Sequence, residues 1–393
     1  MKRTVFGERA LLLVGSLLAG ALLAEVGLRI LATAWPSFGG RFVAFDPLAI
    51  LIEPDGEFGY RQKPHSVFRY GGGAHATTNG MGYRGPEVAV PKPPGHFRII
   101  LLGGSTTHGY GVNDDQTIDA YMRGILITRY PGRGFDVVNL AFDGYNSYQL
   151  VERLRTDGVR LQPDVVIVNT GVNDVANARF ANLQDWDPRA QVWGDDLTRL
   201  RAEAQRGHRT LWTWAKHYSY LARLGGFVRA HLTRLQRERL TLRATPHPEA
   251  GAYFERNLMR IAGLVGRRIP ILFSTEPSAL ETRYRPHDML KQVYWIVDAA
   301  TTQRLRDQLA DRMRAVAQRL QSGDRPVRYL SRHLAPEMFL DDCHLTPEGN
   351  LRMALDFVAA AVPFLSPQRA VAATPGTLRS VVRQPPTDLR PQQ

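Results

Sequence analysis

Three residues of this sequence are of the types that transfer an acyl group through a serine hydroxyl. Ser105 follows two glycines at the end of an apolar run from Arg98 to Leu102, where a turn out of a strand would expose its hydroxyl. Far downstream, the carboxylate of Asp341 and the imidazole of His344 stand three positions apart. A nucleophile, a general base and an orienting acid together favour a serine-dependent hydrolase.

The elements that must position these residues follow an alternating pattern. Apolar runs predict strands at about 98–103, 136–141, 164–169 and 270–274, with a short one near 327–330. Amphipathic stretches predict helices at about 115–130, 147–161, 252–266, 302–321 and 348–362. Strands that alternate with helices predict an α/β sandwich, in which helices cover both faces of a parallel sheet.

Three of the predicted strands end in groups that could stabilise a negative charge. Ser105 follows the first strand, Gly144 the second and Asn173 the third. Because strand ends of the same polarity lie on one rim of a parallel sheet, we expect these residues to converge. A tetrahedral oxyanion needs two or three preorganised donors. The backbone N–H groups of Ser105 and Gly144 and the side-chain amide of Asn173 are donors of the right kind.

The base and the carboxylate share one short loop. Thr346 is a good N-cap and Pro347 a good first helical residue, so a helix that begins there would fix this loop. The offset from Asp341 to His344 can place the carboxylate against one imidazole nitrogen and leave the other nitrogen for the hydroxyl of Ser105.

These blocks, in this order and spacing over about 97–362, resemble the SGNH/GDSL hydrolases. The sequence Gly103-Gly104-Ser105 is similar to the first block of that family, Gly144 to the second, and Gly171-Val172-Asn173-Asp174 to the third. Asp341 and His344 are similar to the last block.

The resemblance implies a three-layer α/β/α fold of the flavodoxin-like kind with a parallel sheet. It also implies roles: Ser105 is the nucleophile, His344 the base and Asp341 its partner. By the same resemblance, Ser105, Gly144 and Asn173 line the oxyanion hole.

Two details refine this resemblance. The turn-rich segment from Asn79 to Gly85 is similar to one in bacterial membrane-anchored members of the family. Gly104 stands where many members of the family have aspartate before the serine. The Gly-Gly-Ser sequence is similar to variants among the anchored members.

Other chemistry fits the same residues less well. A phosphate-binding loop would need lysine where Tyr110 stands, and an α/β-hydrolase elbow would need glycine in place of Thr107. Cys343 could be a thiol nucleophile, but a small filler residue is the preferred interpretation. His108 could be an alternative base, with a helix-start residue near the site rim as the preferred interpretation. No group of His, Cys and acidic residues has metal-ligand spacing, so the sequence predicts no metal and no cofactor.

The N-terminus predicts a transmembrane signal anchor. Lys2, Arg3 and Arg9 precede an uncharged run, and the segment from Ala10 to Trp35 would reach about 39 Å as a helix, enough to cross a bilayer. The positive flank indicates a cytoplasmic N-terminus. We therefore expect a single-pass inner-membrane protein whose catalytic domain faces the periplasm or cell exterior. A signal peptide cleaved after Ala32-Thr33-Ala34 is the alternative.

Along the chain we expect a signal anchor over 1–35, an irregular lead-in over 36–96, a hydrolase domain over 97–365 and a disordered, proline-containing tail over 366–393. Glu25 and Arg29 interrupt the apolar pattern of the anchor and stand on one helical face, where they can pair. A basic insert at about 175–250 interrupts the hydrolase domain. It could cap the site, and its charge could attract anionic lipids or acidic polysaccharide, or could belong to a solvated face.

These features predict an esterase or acyl transferase that acts on O-acyl esters. The preferred substrate is an O-acetylated carbohydrate of the envelope or of an exported polysaccharide, by analogy with anchored members of the family. A lipolytic esterase or thioesterase and a non-catalytic glycan-binding protein are the alternatives. The membrane is an expected partner, whereas nucleic acid is not expected behind an export signal.

Overall fold

The computed structural model describes residues 2–35, 52–55, 57, 59–70, 73–178, 211–237, 248–279 and 299–365. The tail expected over 366–393 lies outside the described residues, as do the parts of the basic insert over 179–210 and 238–247.

The strands, in chain order, are β1 (Ile52–Asp55), β2 (Gly59–Gln62), β3 (Val67–Arg69), β4 (His75–Thr77), β5 (Phe97–Gly103), β6 (Phe135–Asn139), β7 (Val165–Thr170), β8 (Ile271–Thr275) and β9 (Val327–Leu330). The α-helices are α1 (Lys2–Ala34), α2 (Ser105–His108), α3 (Ile118–Arg129), α4 (Ser147–Arg153), α5 (Val172–Ala178), α6 (Leu211–Tyr218), α7 (Tyr220–Arg237), α8 (Ala250–Val265), α9 (Ala299–Gln321) and α10 (Pro347–Ala361).

A five-stranded parallel sheet with the order β6-β5-β7-β8-β9 forms the centre of the protein. Every residue of β5 and β7 is buried, as expected for runs of Val, Ile and Leu that are covered on both faces. Because β5 pairs with β6 on one side and β7 on the other, a crevice opens at the carboxyl ends of these strands. The predicted flavodoxin-like α/β sandwich is confirmed.

Successive side chains of β5 enter two separate hydrophobic cores. Ile99 and Leu101 pack in the core that is covered by α3 and α10, whereas Ile100 and Leu102 pack in the core that is covered by α4, α8 and α9. This alternation follows from the two-residue period of a strand. The helix α10 begins as predicted, because the Thr346 side chain accepts a hydrogen bond from the N–H of Gly349 and Pro347 is the first helical residue.

The helix expected over 147–161 is regular only in its first part. The α-helical segment ends at Arg153, and the chain continues as a π-turn over Leu154–Gly158 and a 3₁₀-turn over Val159–Leu161. Gly158 is a poor helix former, and Pro163 prevents the helix from continuing.

The lead-in forms two antiparallel hairpins, β1 with β2 and β3 with β4. Behind them, the fully buried guanidinium of Arg84 donates hydrogen bonds to the backbone carbonyls of His108, Gly109 and Val112 and pairs with Asp114 at 2.8 Å. Removing one partner of a buried pair is costly. The lead-in therefore holds the chain immediately after α2 in place.

The N-terminal helix contacts the described part of the insert. Within α1, Leu11–Ala34 is long and apolar enough to cross a membrane, and none of its most apolar window is buried in the protein. Glu25 and Arg29 form the expected pair at 2.8 Å and also bond to the junction between α6 and α7. The sequence analysis suggested that the insert over about 175–250 caps the site. Its described helices α6 and α7 contact α1, and residues 179–210 and 238–247 lie outside the described part of the chain.

Candidate active site

The turn from β5 into α2 places Ser105 at the carboxyl edge of the sheet, and two glycines make that turn possible. A Cβ on Gly103 would lie 2.2 Å from Thr107 Oγ1, and a Cβ on Gly104 would lie 2.6 Å from Asn173 Nδ2. Both distances are far too short for non-bonded atoms. The glycine pair before the serine is therefore required by close packing with the two segments that surround it.

Ser105, His344 and Asp341 form one continuous chain of hydrogen bonds. The Ser105 Oγ lies 2.7 Å from His344 Nε2, and His344 Nδ1 lies 2.5 Å from Asp341 Oδ2. An imidazole held in this way can accept the hydroxyl proton on one nitrogen while the carboxylate stabilises the resulting positive charge at the other. The three residues that the sequence analysis singled out are thus brought together.

Hydrogen bonds within the loop hold Asp341 and His344 in position. The second oxygen of Asp341, Oδ1, accepts hydrogen bonds from the backbone N–H groups of Cys343 at 3.0 Å and His344 at 2.7 Å. The N–H of Leu340 donates to the carbonyl of His344 at 2.8 Å, which closes the loop. On the open side, the ring of Tyr110 stacks on the imidazole with a centroid distance of 4.3 Å.

The electrostatics of the pair favour an ionised aspartate beside a basic imidazole. Burial by itself would raise the pKa of Asp341, but the charge of His344 and the hydrogen bonds from its ring and the backbone lower this pKa to about 2. Burial would likewise lower the pKa of His344, yet the charge and hydrogen bond of Asp341 raise it above its ordinary value of 6.5, with further help from Asp342 and Asp143. The carboxylate therefore makes the imidazole a stronger base.

The two other predicted residues lie on neighbouring turns. The Asn173 side chain, in the first turn of α5, donates a hydrogen bond to the carbonyl of Tyr145 at 3.0 Å, which orients its amide above Gly104. Gly144 has a φ of +80°, a conformation that favours glycine, in a turn closed by the Tyr145 N–H and the Phe142 carbonyl. The N–H of Gly144 meets no hydrogen-bond acceptor among the described residues.

Asp174 connects the first turn of α5 to the start of α4. Its carboxylate accepts hydrogen bonds from the backbone N–H and the hydroxyl of Ser147, the latter at 2.5 Å. Asn257 donates to the same hydroxyl at 2.9 Å. Burial raises the pKa of Asp174 to about 6, although these hydrogen bonds oppose the shift. This residue therefore fixes the start of α4 relative to α5, which carries Asn173.

His108 is fully buried rather than at the rim of the site, where the sequence analysis placed it. Its Nδ1 lies 2.9 Å from Asp143 Oδ1 and its Nε2 lies 2.7 Å from the side-chain nitrogen of Gln62. Both ring nitrogens are therefore occupied. Its position follows from the close approach of the lead-in, which covers this side of α2.

Cys343 fits neither a nucleophile nor a metal ligand. Its thiol is buried, and burial raises its pKa well above the ordinary value, so the thiolate is disfavoured. Asp341, Cys343 and His344 do place one possible ligand atom each within 4.8 Å of one another. However, the facing atoms of Asp341 and His344 are already hydrogen-bonded to each other, so the group fits a carboxylate–imidazole pair better than a metal site.

A comparison with known protein families assigns this sequence to one of them. The sequence profile of the GDSL-like lipase/acylhydrolase family matches residues 101–352, a range that includes Ser105, Gly144, Asn173, Asp341 and His344. The chain belongs to this family. Its activity class is therefore ester hydrolysis through a serine. A comparison with curated protein sequences gives no significant match.

Solved structures similar to this GDSL-like protein have low sequence identity to it. An acetylxylan esterase from Geobacillus stearothermophilus is 16% identical, covers 67% of this chain and 93% of its own, and has a TM-score of 0.38. A lipase/acylhydrolase from Enterococcus faecalis is 16% identical, with coverages of 70% and 100% and a TM-score of 0.36. A putative acylhydrolase from Bacteroides fragilis is 15% identical, with coverages of 71% and 91% and a TM-score of 0.37.

The sequence analysis missed one acidic residue of this GDSL-like site. Glu276 is buried, its Oε2 accepts the N–H of Val172 at 2.9 Å, and its Oε1 would lie 3.4 Å from a Cβ on Gly104. Burial raises the pKa of Glu276 to about 7. Its position directly after β8 could have identified it in the sequence, because the carboxyl ends of all the parallel strands lie at one edge of the sheet.

Gly104→Ala is expected to displace the Asn173 amide, since the added carbon would lie 2.6 Å from its nitrogen. If that amide stabilises the transition state, kcat on a p-nitrophenyl ester falls by about 10²- to 10³-fold. The matched control is Gly263→Ala in α8, whose added carbon meets nothing within 4 Å. A folded Gly104→Ala protein with the wild-type kcat would contradict the assignment.

Proposed function

We propose that this protein hydrolyses O-acyl esters by covalent catalysis, with Ser105 as the nucleophile, His344 as the base and Asp341 as the partner of His344. The observation that supports the proposal most directly is the unbroken hydrogen-bond chain from Ser105 Oγ through His344 to Asp341. Family membership gives the activity class, and this chain gives the residues that would carry it.

In the first step, Ser105 Oγ attacks the ester carbonyl carbon while His344 Nε2 takes the hydroxyl proton. The tetrahedral intermediate collapses as the C–O bond to the alcohol breaks, and His344 returns the proton to the departing alkoxide. Water then attacks the acyl-enzyme with the same base, and release of the acid restores the serine hydroxyl. An acceptor hydroxyl in place of that water would give acyl transfer.

Three donors are proposed to bind the oxygen of that intermediate. As the first residue of α2, Ser105 has a backbone N–H that the helix itself cannot use. The N–H of Gly144 and the amide of Asn173 complete the set. Removal of a single donor of this kind costs about 3 kcal/mol of transition-state stabilisation in a well-studied protease.

The proposed substrate is an O-acetyl ester of a carbohydrate. The Asn173 amide lies over Gly104 and the Tyr110 ring stacks on His344, and these polar groups suit a hydroxyl-bearing alcohol better than a fatty acyl chain.

A panel of acetylated xylo-oligosaccharides and of short- and long-chain p-nitrophenyl esters tests this substrate class, with Ser105→Ala as the blank. We expect turnover of acetyl esters that is absent in Ser105→Ala and declines as the acyl chain lengthens. Faster turnover of long-chain than of acetyl esters would instead indicate a lipolytic enzyme. Equal rates in the wild type and Ser105→Ala would refute the nucleophile.

The pH dependence of kcat/KM tests the pairing of His344 with Asp341. Only the neutral imidazole accepts a proton, so the rate rises with pH through the pKa of His344, with a midpoint above 6.5. Asp341→Asn removes the negative charge, so the midpoint moves to lower pH and kcat falls by about 10⁴-fold. Asp311→Asn, at an exposed carboxylate of α9, is the control and leaves both unchanged. An unmoved midpoint in Asp341→Asn would rule out the proposed coupling.

The N-terminal helix is proposed to remain as a single membrane anchor, with the catalytic part on the exported side. Lys2, Arg3 and Arg9 flank the apolar run at its start, as in segments whose N-terminus stays in the cytoplasm. The hydrogen bonds from the α6–α7 junction to Glu25 support retention, because cleavage near Ala34 would remove their acceptor.

Fractionation of cells that express the full chain with an N-terminal epitope tests this placement. We expect a full-length, epitope-positive protein that stays in the membrane pellet after alkaline carbonate, and a C-terminal domain that external protease digests in spheroplasts. A shortened soluble protein without the epitope would show instead that the helix is a cleaved signal peptide.

A further inference from the structure

Two charged residues interrupt the last third of the apolar helix α1. Glu25 and Arg29 stand about 21 and 27 Å from Leu11 along the helix axis, whereas the hydrocarbon core of a bilayer is about 30 Å thick. If Leu11 lies at the cytoplasmic boundary, both charges lie toward the opposite boundary. Ionisable side chains at such depths need partners. The α6–α7 junction supplies them.

The Glu25 carboxylate accepts hydrogen bonds at the N-terminus of α7. It receives the hydroxyl of Ser219 at 2.9 Å and the backbone N–H groups of Tyr220 and Leu221 at 3.0 and 2.9 Å. The first N–H groups of a helix have no partner within the helix, and a negative charge beside them is favourable. Glu25 therefore acts as an N-terminal cap supplied by another helix.

Arg29 makes the complementary contact at the end of α6. Its Nη2 donates to the carbonyl of Tyr218 at 2.7 Å, and its guanidinium lies 4.8 Å from the centre of the Tyr220 ring. A positive charge is favourable at a helix C-terminus. One ion pair in α1 thus satisfies the ends of both helices and fixes their junction at one depth along α1.

The helix pair exposes apolar and aromatic side chains near this junction. Leu211, Trp214, Tyr218 and Val228 are 81, 55, 58 and 47% exposed. Residues 211–237 also contain five Lys or Arg and no acidic residue. Of these, Arg229 is exposed, whereas Lys216 is buried in the protein. Tryptophan and tyrosine are enriched at membrane interfaces, and basic residues there attract anionic lipids.

We infer that α6 and α7 lie in the outer interface of the bilayer that α1 spans and contact anionic phospholipids there. This inference rests on the proposed membrane anchor. A second protein chain is disfavoured as the occupant because the exposed apolar residues continue from a helix whose own apolar surface faces lipid. In this arrangement the Glu25–Arg29 pair holds the basic helices α6 and α7 at the membrane surface.

A fluorophore on an engineered cysteine at position 211 tests this contact in the full chain. The variant Leu211→Cys is labelled and reconstituted into phosphatidylcholine–phosphatidylglycerol vesicles whose acyl chains carry bromine, which quenches only nearby fluorophores. Ile127→Cys, which is 54% exposed on α3, is the matched control, and the one native cysteine, Cys343, is buried. We expect quenching at position 211 that weakens when phosphatidylglycerol is left out, and none at position 127.

A second pair of variants tests the attachment to α1. Glu25→Ala in the Leu211→Cys background removes the acceptor of three hydrogen bonds from the α6–α7 junction and of one from Arg29, and it is expected to abolish the quenching. Ser16→Ala lies on an exposed part of α1, and among the described residues the Ser16 hydroxyl bonds only to the Leu12 carbonyl. This variant is expected to leave the quenching intact.

The outcomes separate this inference from the anchor on which it rests. Release of the protein by carbonate would overturn the anchor itself. Retention of the protein in vesicles without quenching at position 211, or with equal quenching at 127, would overturn the interfacial placement of α6 and α7. Quenching that persists in Glu25→Ala would overturn the role of the ion pair.

Discussion

The structure around Ser105 depends on one packing constraint, the absence of side chains at the end of β5. Gly103 allows Thr107 and the β7 backbone to approach, and Gly104 allows the Asn173 amide to lie directly over the turn. Any side chain at either position would separate β5 from its neighbours. The same constraint explains why aspartate, common before the serine in the family, has no room at position 104 here.

A second constraint is electrostatic and lies in the loop that carries Asp341 and His344. Asp341 uses both of its oxygens, one on the His344 ring and one on the backbone N–H groups of the loop, so the carboxylate that orients the base also shapes the segment that carries it. Orientation and basicity of His344 are therefore set by the same group. Tyr110 restricts the ring from its open face.

Much of this architecture was predictable from the sequence because it depends on local patterns. The periods of the apolar runs predicted the parallel sheet and its covering helices, and Thr346 with Pro347 predicted the start of α10. Ser105, Asp341 and His344 were found because few residue types can activate a hydroxyl. Their roles, and those of Gly144 and Asn173 as oxyanion donors, stay predictions until activity is measured.

What was missed depends on contacts between distant parts of the chain. Glu276 has no motif of its own, and only the shared rim of the sheet connects it with Gly104. His108 looked like a rim residue because the sequence does not show that the lead-in covers it. The contact between Glu25 and Ser219 joins residues 194 positions apart, so the sequence pattern revealed the nearby partner Arg29 but not this distant one.

The most direct test of the account is reaction of the full-length protein with a fluorophosphonate, followed by peptide mass spectrometry. The account predicts a single phosphonylated residue, Ser105, with labelling lost in Ser105→Ala and strongly slowed in His344→Ala. Labelling that survives Ser105→Ala, or a folded wild-type protein that does not react, would contradict it.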